Sequence, residues 1–175
     1  MRQLTRLLEE FLRRQVRYAA MGVWAANHYA HSPAGVVSTL DTDLFLPSDP
    51  ANLLEAWRAA ESVGLELWCG DEPLDRPRDS VLAHAVVHRR ALTRGVGEDE
   101  LLVDFSLVMA GFAFEQIRPA CRHFQIDGID VVVASLVHIV QSKAAVGRLK
   151  DIAYLATLDE ELRNLGYLPP RLPGD

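Results

Sequence analysis

Residues 36–46 read Val36-Val37-Ser38-Thr39-Leu40-Asp41-Thr42-Asp43-Leu44-Phe45-Leu46. Val, Thr, Leu and Phe dominate, which is the composition of a buried strand. Two carboxylates interrupt it. Strand side chains alternate faces, so Asp41 and Asp43 point the same way. Like charges side by side repel, and each loses hydration on burial, so the pair needs either a solvated strand end or a cation. A hard cation such as Mg²⁺ takes one or two carboxylates and completes its shell with water and substrate phosphates. An isolated Asp-x-Asp fits both situations.

Ahead of this strand, Leu4, Leu7, Leu8, Phe11, Leu12 and Val16 recur at helical spacing opposite Arg6, Glu9, Glu10, Arg13 and Arg14, which predicts an amphipathic helix. Tyr18 to Met21 then runs apolar into Gly22, and Val23 to Ala30 reads as a short helix that starts there. A helix beginning at glycine offers free backbone N–H groups to an anion, although a plain turn glycine has the same signature. His31 to Gly35 breaks the chain.

Behind the strand, Asp49 is an N-cap and Pro50 a first helical residue. Leu53, Leu54, Trp57, Ala60 and Val63 give the buried stripe, and Gly64 closes the helix. A brief strand is expected at Leu65 to Trp68, and a surface loop from Gly70 to Ser80. Val81 to Leu92 is ambiguous. His84 and His88 would share a helix face there, but no third ligand is spaced to complete a metal site, so both read as structural or solvent-facing. Leu101 to Val108 is a strand interrupted by Asp104, and Phe112 to Arg118 a helix stopped by Pro119. Asp127-Gly128 between two β-rich runs is a hairpin signal. Ser135 caps a helix presenting Leu136, Val137, Val140 and Ala144 on one side, and Lys143. Arg148, Lys150 and Asp151 follow Gly147, and an apolar face continues to Gly166.

The 175 residues suffice for one domain over 1–166, followed by an extended proline-rich tail at 167–175. Apolar residues make up 49% and charged ones 24%, a globular balance, and the net charge of −6 argues against a protein that coats nucleic acid. Cys69 and Cys121 lack metal-ligand spacing and read as reduced thiols. The charged N-terminus lacks a signal-peptide core, and no apolar run is long enough to span a membrane. A soluble cytoplasmic protein is expected.

Taken together, the order of parts resembles the nucleotidyltransferase superfamily, in the branch of minimal nucleotidyltransferases and AbiEii-type toxins. A glycine-initiated helix precedes an Asp-x-Asp strand, a later strand carries a third Asp, and a Lys…Arg-x-Lys-Asp segment follows, the likeness running from about Tyr18 to Leu158. It implies an α/β (α+β) fold with a short mixed sheet flanked by helices. Asp41, Asp43 and Asp104 would hold Mg²⁺ or Mn²⁺. Gly22, Val23, Thr39, Lys143 and Arg148 would meet the NTP, with Lys143 on its phosphates, and Asp151 would be the acidic partner of the Lys143 helix. Two metal ions about 3.5–4 Å apart can hold attacking and leaving oxygens in line, which gives the carboxylates their place in catalysis beside Lys143 and Asp151.

Two departures stand out. Val23 occupies the place of a second glycine or serine, and the segment from Gly22 to Asp41 is longer than usual and lacks an arginine before the threonine. The resemblance implies transfer of an NMP group from an NTP to a hydroxyl of RNA, protein or a small molecule. Val23 favours the alternative, a catalytically degenerate binding module, as in one half of a toxin–antitoxin pair with a protein partner.

Overall fold

The computed structural model describes residues 2–30, 36–147 and 163. Arg148, Asp151 and the expected tail at 167–175 lie outside the described residues. In chain order, α1 (Arg2–Arg13), β1 (Ala19–Met21) and α2 (Gly22–Ala26), with a 3-10 turn at Asn27–Tyr29, lead to β2 (Asp41–Phe45). There follow α3 (Pro50–Ser62), β3 (Glu66–Cys69), β4 (Glu72–Pro73), α4 (Ser80–Arg89), β5 (Thr93–Val96) and β6 (Leu102–Ser106). The described run closes with α5 (Phe114–Ile117), a 3-10 turn at Arg118–Ala120, β7 (Arg122–Ile126), β8 (Ile129–Val133) and α6 (Leu136–Val146).

Local chemistry accounts for most of these boundaries. The Asp49 side chain accepts from the N–H of Ala51 at 2.9 Å and of Asn52 at 3.4 Å, satisfying donors that the first turn of α3 leaves open. Asp79 does the same for α4, and Ser135 accepts from the N–H of His138 at the start of α6. At the hairpin between β7 and β8, Asp127 and Gly128 have φ of 50° and 83°. Positive φ at both central residues is the turn geometry that matches strand twist.

Eight strands form one mixed sheet in the order β4-β3-β5-β6-β2-β1-β8-β7. The register decides what each face carries. β2 and β6 run parallel with Asp43 beside Asp104 and Leu44 beside Phe105, and β5 runs antiparallel to β6 with Arg94 beside Asp104 and Thr93 beside Phe105. Thus Leu44, Phe105 and Thr93 share one face, and Asp41, Asp43, Asp104 and Arg94 the other. α1 and α3 cover the first face: the Phe11 ring lies 6.2 Å from that of Phe105, and Trp57 Nε1 donates to Thr93 Oγ1 at 3.0 Å. Phe11, Trp57, Leu44 and Phe105 are completely buried. On the opposite face, the ring of Phe114 from α5 packs edge-on against Phe45.

Four stretches differ from what the sequence predicts or were left open by it. The strand expected across 36–46 enters the ladder only at Asp41; Val36 and Leu40 are 54% and 72% exposed. Asn27 explains part of this, since its amide both donates to the carbonyl and accepts from the N–H of Val37, binding that segment outside the sheet. The ambiguous stretch is the helix α4, with His84 and His88 both exposed on it. The loop expected from Gly70 to Ser80 contains the two-residue β4, and β5 has no counterpart in the sequence reading. Thr93-Arg94-Gly95-Val96 is too short and too mixed to signal a strand; pairing on both sides makes it one.

Candidate active site

The carboxylate face opens into a cleft of about 760 Å³. Its floor is the row Met21, Asp43, Asp104, Arg94 across β1, β2, β6 and β5, with Asp41 one step along on β2. One oxygen from each of Asp41, Asp43 and Asp104 lies within 4.8 Å of the others. Among the described residues no other group of three or more His, Cys, Asp or Glu side chains converges in this way. Hard oxygen donors at this separation fit Mg²⁺ or Mn²⁺.

Each carboxylate is held differently. Thr39 Oγ1 donates to Asp41 Oδ1 at 2.5 Å. Asp104, only 5% exposed, accepts a two-point contact from Arg94, at 2.6 Å from Nε and 2.8 Å from the terminal nitrogen. Asp43 rests against the backbone of Gly22, whose φ is +76°; a Cβ there would lie 2.1 Å from Asp43 Oδ2. Glycine is required at this position both for its backbone conformation and for the room it leaves.

Burial pushes the Asp43 carboxyl up to about 6, and the neighbouring charges of Asp41 and Asp104 push it the same way. Lys143 and Arg94 act against that rise. Burial and two like charges make ionised Asp43 costly, and a divalent cation would offset that cost. The donor set and its electrostatics therefore both fit a metal.

The walls come from distant parts of the chain. α6 contributes Ile139, Ser142, Lys143 and Val146; Gly22 and Val23 enter from the start of α2. Val37, Leu92, Val108 and Met109 add apolar surface beside the polar Ser106. Seven residues singled out from the sequence thus line one cleft: Gly22, Val23, Thr39, Asp41, Asp43, Asp104 and Lys143. Arg148 and Asp151, the other two, lie outside the described residues. Gly22 has a packing role that the sequence did not indicate. The space left by its missing side chain is filled by the Asp43 carboxylate.

Sequence reasoning missed Arg94. The only available signal was a positive residue placed to pair with Asp104, and that pairing required recognising β5. The two cysteines are free, and both are half-buried. Among the described residues no helix is long and apolar enough to cross a membrane.

No protein-family model matches this chain, and neither does any curated protein. The fold is similar to the crystal structure of the lincosamide antibiotic adenylyltransferase LnuA in its lincomycin-bound form. The TM-score is 0.58 at 11% sequence identity, over 91% of this chain and 96% of that one. At so low an identity the likeness speaks for architecture: a mixed α/β, nucleotidyltransferase-like fold.

Proposed function

We propose that this cleft transfers a nucleoside monophosphate from an NTP to a hydroxyl group. The observation that carries the reading is the convergence of Asp41, Asp43 and Asp104 on one face, in a cleft that Lys143 also lines, within a fold similar to that of an adenylyltransferase. Asp41, Asp43 and Asp104 would hold Mg²⁺ or Mn²⁺. Such an ion, when bound, neutralises charge on the α-phosphate and on the departing pyrophosphate. Lys143 supplies a point charge to the β and γ phosphates. The acceptor oxygen attacks the α-phosphorus, the bond to the β-phosphate oxygen breaks, and a carboxylate of the triad takes the hydroxyl proton. Thr39 and Arg94 keep two of these carboxylates in position through the bonds described above.

The walls speak to the acceptor. Met21, Val37, Leu92, Val108, Met109 and Val146 surround the carboxylates, with Lys143 and Arg94 as the cleft's cationic side chains among the described residues. A phosphate backbone needs a basic track to follow, which this lining does not provide. A small molecule with an apolar body and a hydroxyl suits it better than RNA. LnuA is a lincosamide antibiotic adenylyltransferase whose crystal structure holds lincomycin.

The test is incubation with labelled NTPs, Mg²⁺ or Mn²⁺, and either a cell extract or a set of hydroxylated small molecules. Transfer of label with release of pyrophosphate supports the reading. Val23 favours a second one, because its β-branched side chain lines the cleft next to Gly22. On that reading the fold binds nucleotide without turnover, as one half of a toxin–antitoxin pair. Nucleotide binding with no pyrophosphate released, and a partner gene adjacent to this one, would favour it.

A further inference from the structure

Arg94 carries a permanent positive charge, since a guanidinium does not lose its proton in a protein. Its position is set by backbone pairing: β5 runs antiparallel to β6, and Arg94 stands directly beside Asp104 on the cleft face. Both of its contacts, at 2.6 and 2.8 Å, go to the two oxygens of Asp104. Asp104 in turn stands directly beside Asp43 on β2. A cation, an anion and a second anion therefore lie in register across three neighbouring strands. The carboxylate between them has one oxygen within 4.8 Å of donor atoms on Asp41 and Asp43.

A planar fork that grips both oxygens fixes the carboxylate more firmly than a lysine would. It also leaves any divalent ion bound by the triad to share Asp104 with a fixed charge of its own sign, one carboxylate away. In a partly buried site such repulsion is only weakly screened. The phosphates of an incoming nucleotide would offset it.

Resting on the metal-dependent reading above, we propose that Arg94 is a positioning residue that makes metal loading depend on nucleotide. It holds Asp104 aimed into the cleft while opposing a divalent ion there, so that metal binds well only together with the NTP. Arg94 thereby stands in for a cation while the cleft is empty of substrate, and offsets part of the repulsion among the three carboxylates.

The experiment is titration of the full chain with Mn²⁺, followed by calorimetry and by the paramagnetic signal of free Mn²⁺. It is done with and without an NTP analogue whose α,β-bridge cannot be cleaved, on the natural protein, Arg94→Gln and Arg94→Lys. Without nucleotide, Arg94→Gln is expected to bind Mn²⁺ roughly tenfold more tightly or better, because a like charge next to the ion is gone. Arg94→Lys should stay close to the natural protein, and the gap should narrow once the analogue is present. A residue with a merely structural role would weaken Mn²⁺ binding on either substitution.

Arg94→Gln also leaves Asp104 buried without its cation, which can unfold the chain. In that event Mn²⁺ is expected to restore its far-ultraviolet circular dichroism, and Arg94→Gln combined with Asp104→Asn to fold without metal. Failure of that recovery overturns the proposal. So does unchanged or weaker Mn²⁺ binding by folded Arg94→Gln. If the natural protein binds Mn²⁺ with the analogue while Arg94→Gln gains nothing, this inference alone falls. If neither binds Mn²⁺ even with the analogue, the metal-dependent reading falls with it.

Discussion

Gly22 and Asp43 are in direct contact: the carboxylate lies where the glycine has no side chain, 2.1 Å from the position a Cβ would take. Gly22→Ala therefore meets two costs, a left-handed backbone conformation and a clash with the cleft floor. The conformational cost alone is about 1–3 kcal/mol. The substitution is expected to lower the midpoint of thermal unfolding and to displace Asp43. Mn²⁺ binding in the presence of nucleotide should fall with it. A crystal structure of the variant with Asp43 unmoved would contradict this account.

Asp43→Asn removes a carboxyl whose proton affinity is raised to about 6 in the folded protein. Between the ordinary carboxylate range and pH 6 the folded chain keeps a proton that the unfolded chain gives up, so stability falls as pH rises through that window. Above it the cost is fully present, of the order of 2–3 kcal/mol at most. The asparagine variant should be more stable than the natural protein at pH 7.5, with the advantage gone near pH 4. Urea denaturation at the two pH values measures both. The same substitution, like Asp41→Asn, should abolish Mg²⁺-dependent nucleotide binding.

Lys143→Ala separates triphosphate from monophosphate. Hydrogen bonds to charged groups contribute about 1.5–3 kcal/mol, so NTP affinity should drop by roughly ten- to a hundredfold. NMP affinity should change little, since the β and γ phosphates are what the lysine meets. Fluorescence titration with both ligands checks this. Equal losses would detach Lys143 from the triphosphate.

Val23→Ser places a small hydroxyl side chain beside Gly22. If the isopropyl group obstructs a phosphate there, NTP affinity should rise several-fold, the scale of one added hydrogen bond. Isothermal titration against the natural protein decides it. An unchanged affinity would show that Val23 lies clear of the nucleotide, and would remove the main support for a fold without turnover.

Much of this molecule follows from neighbours along the chain. Leu4, Leu7, Leu8 and Phe11 determined α1, because an apolar stripe at helical spacing has one way to be buried. Asp49 with Pro50, Ser135, and Asp127 with Gly128 determined three boundaries, because caps and turns are satisfied within a few residues. The alternation of β2 likewise placed Asp41 and Asp43 on one side, and the resemblance drew Gly22, Asp104 and Lys143 toward them. Tertiary structure alone decided the rest. A one-residue slip of β6 against β2 would have turned Asp104 to the face of Phe105 and Phe11, away from the cleft. β5 is a strand because its two neighbours supply hydrogen-bonding partners, and only that pairing brings Arg94 to Asp104. Register depends on which distant segments share a ladder and a core, and that is a free energy of the assembled sheet which no local window of sequence contains.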